Sequence, residues 1–161
     1  MSLARPLYRT RQFLGALRPR VSAAELEDAK RFLGPQLFAL FSSMMLRDQR
    51  HSLDVFRLLD DQGCHDNDVL AAALLHDVGK GRVRLWERVV YVLAGALARP
   101  LQSRLGNGAK RLRDHAAIGA VQVAAAGASP QLVRLVAEHE DRQLSPSDAP
   151  LRLLRSADDS C

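Results

Sequence analysis

Six side chains dispersed along the chain are of the kinds that hold a metal ion. An adjacent pair, His76-Asp77, closes an apolar run from Val69 to Leu75, and Gly79 and Lys80 follow it. An imidazole beside a carboxylate offers two ligands to one divalent cation. Three more histidines, His51, His115 and His139, fall near the apolar stripes of their own predicted helices, and Asp158 ends the last one. The remaining histidine, His65, lies in a polar loop beside Asp66 and reads as a surface residue. One histidine on an apolar face is ordinarily a satisfied core residue. Four of them with two carboxylates are different, because burying so many titratable groups without a common partner costs on the order of several kcal/mol. A divalent cation satisfies neutral imidazoles and ionised carboxylates together. Gly79 suits a left-handed cap after the helix carrying the doublet. Lys80 stands about one turn further on, where an anionic substrate would meet it.

These residues must be positioned by helices. Alanine, leucine and valine dominate an apolar content of 47% with only 5% aromatic residues, and no window alternates with the period of a strand. The chain therefore reads as all-α. Ser22 and Glu25 form a capping box that starts a helix running to about Leu33, where Gly34-Pro35 breaks it. A second helix from Pro35 carries Leu37, Phe38, Leu40 and Phe41, and runs or bends into the segment holding His51, with Gly63 as its end. Asp66 or Asn67 caps the helix of the doublet. Residues 83–99 read as a helix that is apolar nearly all round, interrupted by Pro100 and continued to the turn Gly106-Asn107-Gly108. Helices over 109–126, from Ser129-Pro130 onward and over 151–159 complete the chain and bring in His115, His139 and Asp158.

At 161 residues this is one domain's worth of chain. Residues 1–20 hold five arginines and no acid and read as a basic arm, leaving 21–161 as a single helical domain. The net charge of +5 also gathers in residues 82–113, where Glu87 is the one acid among eight basic side chains. Such patches attract nucleotides, phosphates or anionic lipid. Cys64 and Cys161 show no pairing pattern, and the N-terminus lacks the apolar core of a signal peptide, so a reducing, cytoplasmic setting is expected. No run reaches the roughly 20 apolar residues of a transmembrane segment. The 83–105 segment, with Trp86 and Tyr91 among arginines, offers an extra core helix, a homodimer contact or a peripheral membrane surface.

The order His51, His76-Asp77, His115, His139, Asp158 on successive helices resembles the HD superfamily of metal-dependent phosphohydrolases. The flanking words agree: Arg50-His51-Ser52-Leu53, Ala73-Leu74-Leu75-His76-Asp77-Val78-Gly79-Lys80 and Leu154-Arg155-Ser156-Ala157-Asp158. The resemblance covers roughly residues 45–160. It implies a small stand-alone HD-domain-like bundle of about six to eight helices. It further implies that His51, His76, Asp77 and Asp158 hold one divalent metal ion, drawn from Mn, Fe, Ni, Zn and Mg. In members with two metals, positions corresponding to His115 and His139 hold the second, with the aspartate of the doublet as a bridge. The cyclic-dinucleotide branch carries two adjacent histidines at the later position. Here Glu138-His139-Glu140 stands instead, so one ligand is missing or replaced by Glu138, and Leu144-Ser145-Pro146 stands near the place of that branch's Gly-Tyr-Pro signature.

The activity implied is hydrolysis of a nucleotide or other phosphate mono- or diester through metal-activated water. Asp77 and Lys80 are then the catalytic side chains, Lys80 binding phosphate or protonating the leaving group. Lys80, Arg82, Arg84, Lys110 and Arg111 are candidates for the remainder of a phosphate-containing substrate, with Asp114 and Glu138 as candidates to orient an imidazole. The alternative is a regulatory module that keeps its metal and senses a nucleotide without cleaving it. The superfamily also contains oxygen-activating two-iron enzymes.

Overall fold

The computed structural model describes residues 19–83, 107–141 and 148–161. Among these residues there are seven α-helices, one 3₁₀ turn and no strand. The helices are α1 (Ala23–Ser43), α2 (Leu46–Asp61), α3 (Asn67–Leu75), α4 (Asn107–Arg113), α5 (His115–Ala125), α6 (Pro130–Glu138) and α7 (Ala149–Asp158), with the 3₁₀ turn Val78–Lys80 after α3. The basic arm apart from its last two residues, Arg84 and the apolar segment beyond Val83 lie outside the described residues.

Local chemistry accounts for most helix boundaries. The Ser22–Glu25 capping box is formed, and α1 kinks at Gly34, whose φ of 72° needs a residue without a Cβ. Met44 and Met45 are extended and separate α1 from α2. Asp66 caps α3 by accepting from the backbone of Asp68 and Val69, and Ser129 caps α6 through Leu132 N. The helix expected over 109–126 divides at Asp114 into α4 and α5.

The core is built around α3, every residue of which from Val69 to Leu75 is buried. A helix buried on all sides must be covered on all sides, and α1, α2, α6 and α7 all pack against it. The α5 helix lies on α6 and on the 3₁₀ turn. Two side-chain hydrogen bonds also tie the starts of α3 and α6: Ser129 Oγ donates to Asp68 Oδ1 at 2.7 Å and Gln131 Nε2 to Asp66 Oδ2 at 3.1 Å. Both helices are nine residues long, so their C-terminal ends arrive together, and each ends in a histidine.

Candidate metal centre

His76 is the C-cap of α3 and His139 the C-cap of α6, Asp158 is the last residue of α7, and His115 follows the break after α4. His51 alone is carried by the middle of a helix, α2. Three helix C-termini therefore close on one spot, and their partial negative charge favours a cation there.

The helix ends also fix the rings. Nδ1 of His76 donates to Ala73 O (3.0 Å), Nδ1 of His115 to Leu112 O (2.7 Å) and Nδ1 of His139 to Val136 O (2.8 Å). A carbonyl oxygen only accepts, so each Nδ1 carries a proton and Nε2 is the ring nitrogen left facing inward. His51, His76, His139 and His115 are neighbours in that order, with ring centroids 5.4, 5.2 and 5.1 Å apart.

Asp77 joins the two halves. Its Oδ2 accepts from Lys80 Nζ at 2.5 Å, while Oδ1 lies 3.6 Å from His76 Nε2 and 3.4 Å from His115 Nε2. His51, His76 and Asp77 present ligand atoms within 4.8 Å of one another, and so do Asp77, His115 and His139. Asp158 Oδ1 flanks the first group, 2.8 Å from His51 Nε2 and 3.5 Å from His76 Nε2. His76 Nε2 and Asp77 Oδ1 are buried without a hydrogen-bond partner. Two orphaned ligand atoms of opposite kinds, facing each other in the core, fit a divalent cation.

The electrostatics agree. Burial opposes ionisation of Asp77, yet the neighbouring charges of His76 and Lys80 hold its carboxyl well below the usual range. Burial likewise opposes the charge on Asp158 and is outweighed by the hydrogen bond with His51 and by the His76 ring 3.5 Å away, which keep it ionised. For His76, burial would lower the pKa, but Asp77 and Asp158 raise it, so the carboxylates draw positive charge to this point. Burial, together with the charge at His76, pushes His139 down to about 4 and leaves it a neutral donor at ordinary pH. A cavity of about 400 Å³ adjoins the site, lined by His139, Glu140, Arg155, Asp158 and Asp159.

Several expectations are revised. Gly79 is not a left-handed cap: the positive φ falls on Gly81 (55°), and Gly79 sits inside the 3₁₀ turn. Its need is steric, because a Cβ there would collide with the carbonyl oxygen of His115 and stand 2.6 Å from Gly119 N. Asp114 is paired with Arg113, and Glu138 with Arg134, so neither orients an imidazole in this structure; backbone carbonyls do. Arg111 Nε donates to Gly79 O at 3.0 Å and steadies the turn after the doublet. Lys110 and Arg82 are exposed. The sequence motifs do not single out Arg155, whose guanidinium binds the backbone at the end of α6; the available signal is its place one helical turn before Asp158.

A helical bundle that brings four histidines and two aspartates together defines an all-α domain with a candidate metal centre. The family model for the HD domain matches residues 49–160, and the chain belongs to that family, a superfamily of metal-dependent phosphohydrolases. HD domains bind divalent metals. No curated protein and no solved structure matches the chain. Among the described residues, no helix is long and apolar enough to cross a membrane.

Proposed function

We propose that the protein hydrolyses a phosphate ester, with nucleotides as the first class of substrate, at a centre of two divalent cations. The observation that carries this reading is the shared carboxylate: Asp77 belongs to both ligand groups, and its inward oxygen has no hydrogen-bond partner. His51, His76 and Asp158 complete one site around it, and His115 and His139 the other. Cations held so close supply Lewis acidity, lowering the pKa of water and neutralising charge on a phosphoryl oxygen.

The protein's own residues contribute three things. The carbonyls of Ala73, Leu112 and Val136 hold the three rings with Nε2 inward, so no rotation is needed on ligand entry. Lys80, 22% exposed and anchored on Asp77 Oδ2, presents an ammonium at the edge of the site, placed to bind a phosphate oxygen or to give a proton to a leaving alkoxide. The cavity beside Asp158 receives the group attached to the phosphate. The test is turnover of a panel of nucleoside mono- and diphosphates, cyclic nucleotides and simple phosphate esters by protein loaded with Mn, Fe, Ni, Zn or Mg. Hydrolysis of any member that disappears in Asp77→Asn supports the reading. Metal-loaded protein that turns over none of them overturns it.

A further inference from the structure

We propose that Arg155 is a positioning residue that sets His139 against Asp158 and so fixes the spacing of the two cation sites. This rests on the two-cation reading above. Arg155 reaches from α7 to the end of α6: Nε donates to His139 O at 2.8 Å, and Nη2 to Glu138 O at 2.6 Å and to Asp141 O. These carbonyls lie at and just past the helix end, and Glu138 O also accepts from Asp141 N at 3.0 Å. On the same face of α7, one turn further on, is Asp158, which contacts His51 and His76. One side chain thus ties the carbonyl of a ligand in the second group to the helix of a ligand flanking the first.

The tie matters because α6 and α7 share little direct packing: α6 lies mainly on α5 and α3, and α7 on α2 and α3. Their mutual placement falls to polar bridges. Among the described residues these include Arg134 to Asp148 near the start of α7 (2.5 Å) and Arg155 near its end, at the site. A planar guanidinium with several donors in fixed directions can hold three carbonyls at once; an ammonium cannot match that fork.

The experiment compares wild type, Arg155→Ala and Arg155→Lys as full chains. In chelator-treated protein, long-range ¹H–¹⁵N spectra should show wild-type His139 as a single Nδ1-protonated tautomer. Arg155→Ala releases the end of α6 and so loosens the bond from His139 Nδ1 to Val136 O; it should mix that tautomer while leaving His115, held by Leu112, unchanged, and Arg155→Lys should fall between. Titration with Mn(II) should then show the weaker of two binding steps falling about 10–100-fold in Arg155→Ala, with the tighter step nearly unaltered. An unchanged His139 tautomer with two unchanged affinities overturns the proposal. So does an equal loss of both affinities accompanied by a fall in the melting temperature of the chelated protein, which marks a general role in folding. If wild type binds a single cation, the two-cation reading fails, and the His139 tautomer alone decides the role of Arg155.

Discussion

His115 Nε2 and His139 Nε2 stand 3.2 Å apart, while the Nδ1 of each donates to the carbonyl three residues before it. With both Nδ1 protons committed, two neutral rings would point lone pairs at each other. Such an arrangement requires positive charge close to both nitrogens. Two predictions follow from this pair and from the carboxylate beside it, and two more from the surrounding scaffold.

Cation removal should loosen the protein measurably. A ligand present at 100 times its dissociation constant stabilises the folded state by about 2.7 kcal/mol. For a domain of this size that corresponds to roughly 5–10 °C in melting temperature. Differential scanning fluorimetry with and without chelator should show this difference in wild type and a much smaller one in His139→Ala.

Replacing the shared carboxylate should cost more than replacing any single histidine. Asp77→Asn preserves shape and removes the charge, so it should bind neither cation tightly and lose at least about 10³-fold in kcat/KM, equivalent to roughly 4 kcal/mol. His65→Ala, at an exposed loop position, should leave metal content and turnover at wild-type levels. Elemental analysis and steady-state kinetics on the same preparations check both.

Gly79 should be the least tolerant glycine in the chain's metal-bearing region. A methyl group there meets the backbone of α5, which cannot yield without shifting His115. Gly79→Ala is expected to lower stability by about 3 kcal/mol or more in urea unfolding. At Gly119 the added methyl meets the side chains of Val136 and Val78 at 3.2 Å, which can adjust, so Gly119→Ala should cost less.

The pH dependence of stability should carry a contribution from Glu25. Its Oε1 lies 2.5 Å from Arg50 and 2.6 Å from Arg57, and its Oε2 accepts from Ser22; Asp54 faces the same Arg50. Burial opposes the charge, but hydrogen bonds from Arg50 and Ser22 prevail and lower the pKa from 4.5 to about 2. A carboxylate whose folded pKa lies below its unfolded value adds stability above the unfolded pKa, and that stability is lost as pH falls toward the folded one. Glu25→Gln should therefore be about 1 kcal/mol less stable than wild type at pH 7, with the gap closing between pH 4.5 and 2. Urea titrations at pH 7 and pH 3 measure it.

Much of the fold was legible in the sequence because it depends on neighbours along the chain. The capping box at Ser22, the break at Gly34-Pro35, the cap at Asp66 and the start at Ser129-Pro130 are contacts between residues at most a few positions apart, and the structure has each of them. Neighbours along the chain do not show that 109–126 divides at Asp114, nor that the positive φ falls on Gly81 rather than Gly79. The constraint on Gly79 comes from the backbone of α5, which meets it only in the folded chain.

The candidate site divides in the same way. Residue type and periodicity by themselves put His51, His76, His115 and His139 near the apolar stripes of their helices, a set that with Asp77 and Asp158 suits a divalent cation. Periodicity reports the face of a helix, and it carries no information about which helix ends meet. Only the tertiary structure decided that α3, α6 and α7 terminate together, that carbonyls rather than Asp114 or Glu138 aim the rings, and that Asp77 turns one oxygen to Lys80 and the other to two histidines. The meeting of the helix ends joins residues tens of positions apart, and it exists because a helix buried on every side, α3, obliges the others to gather around it.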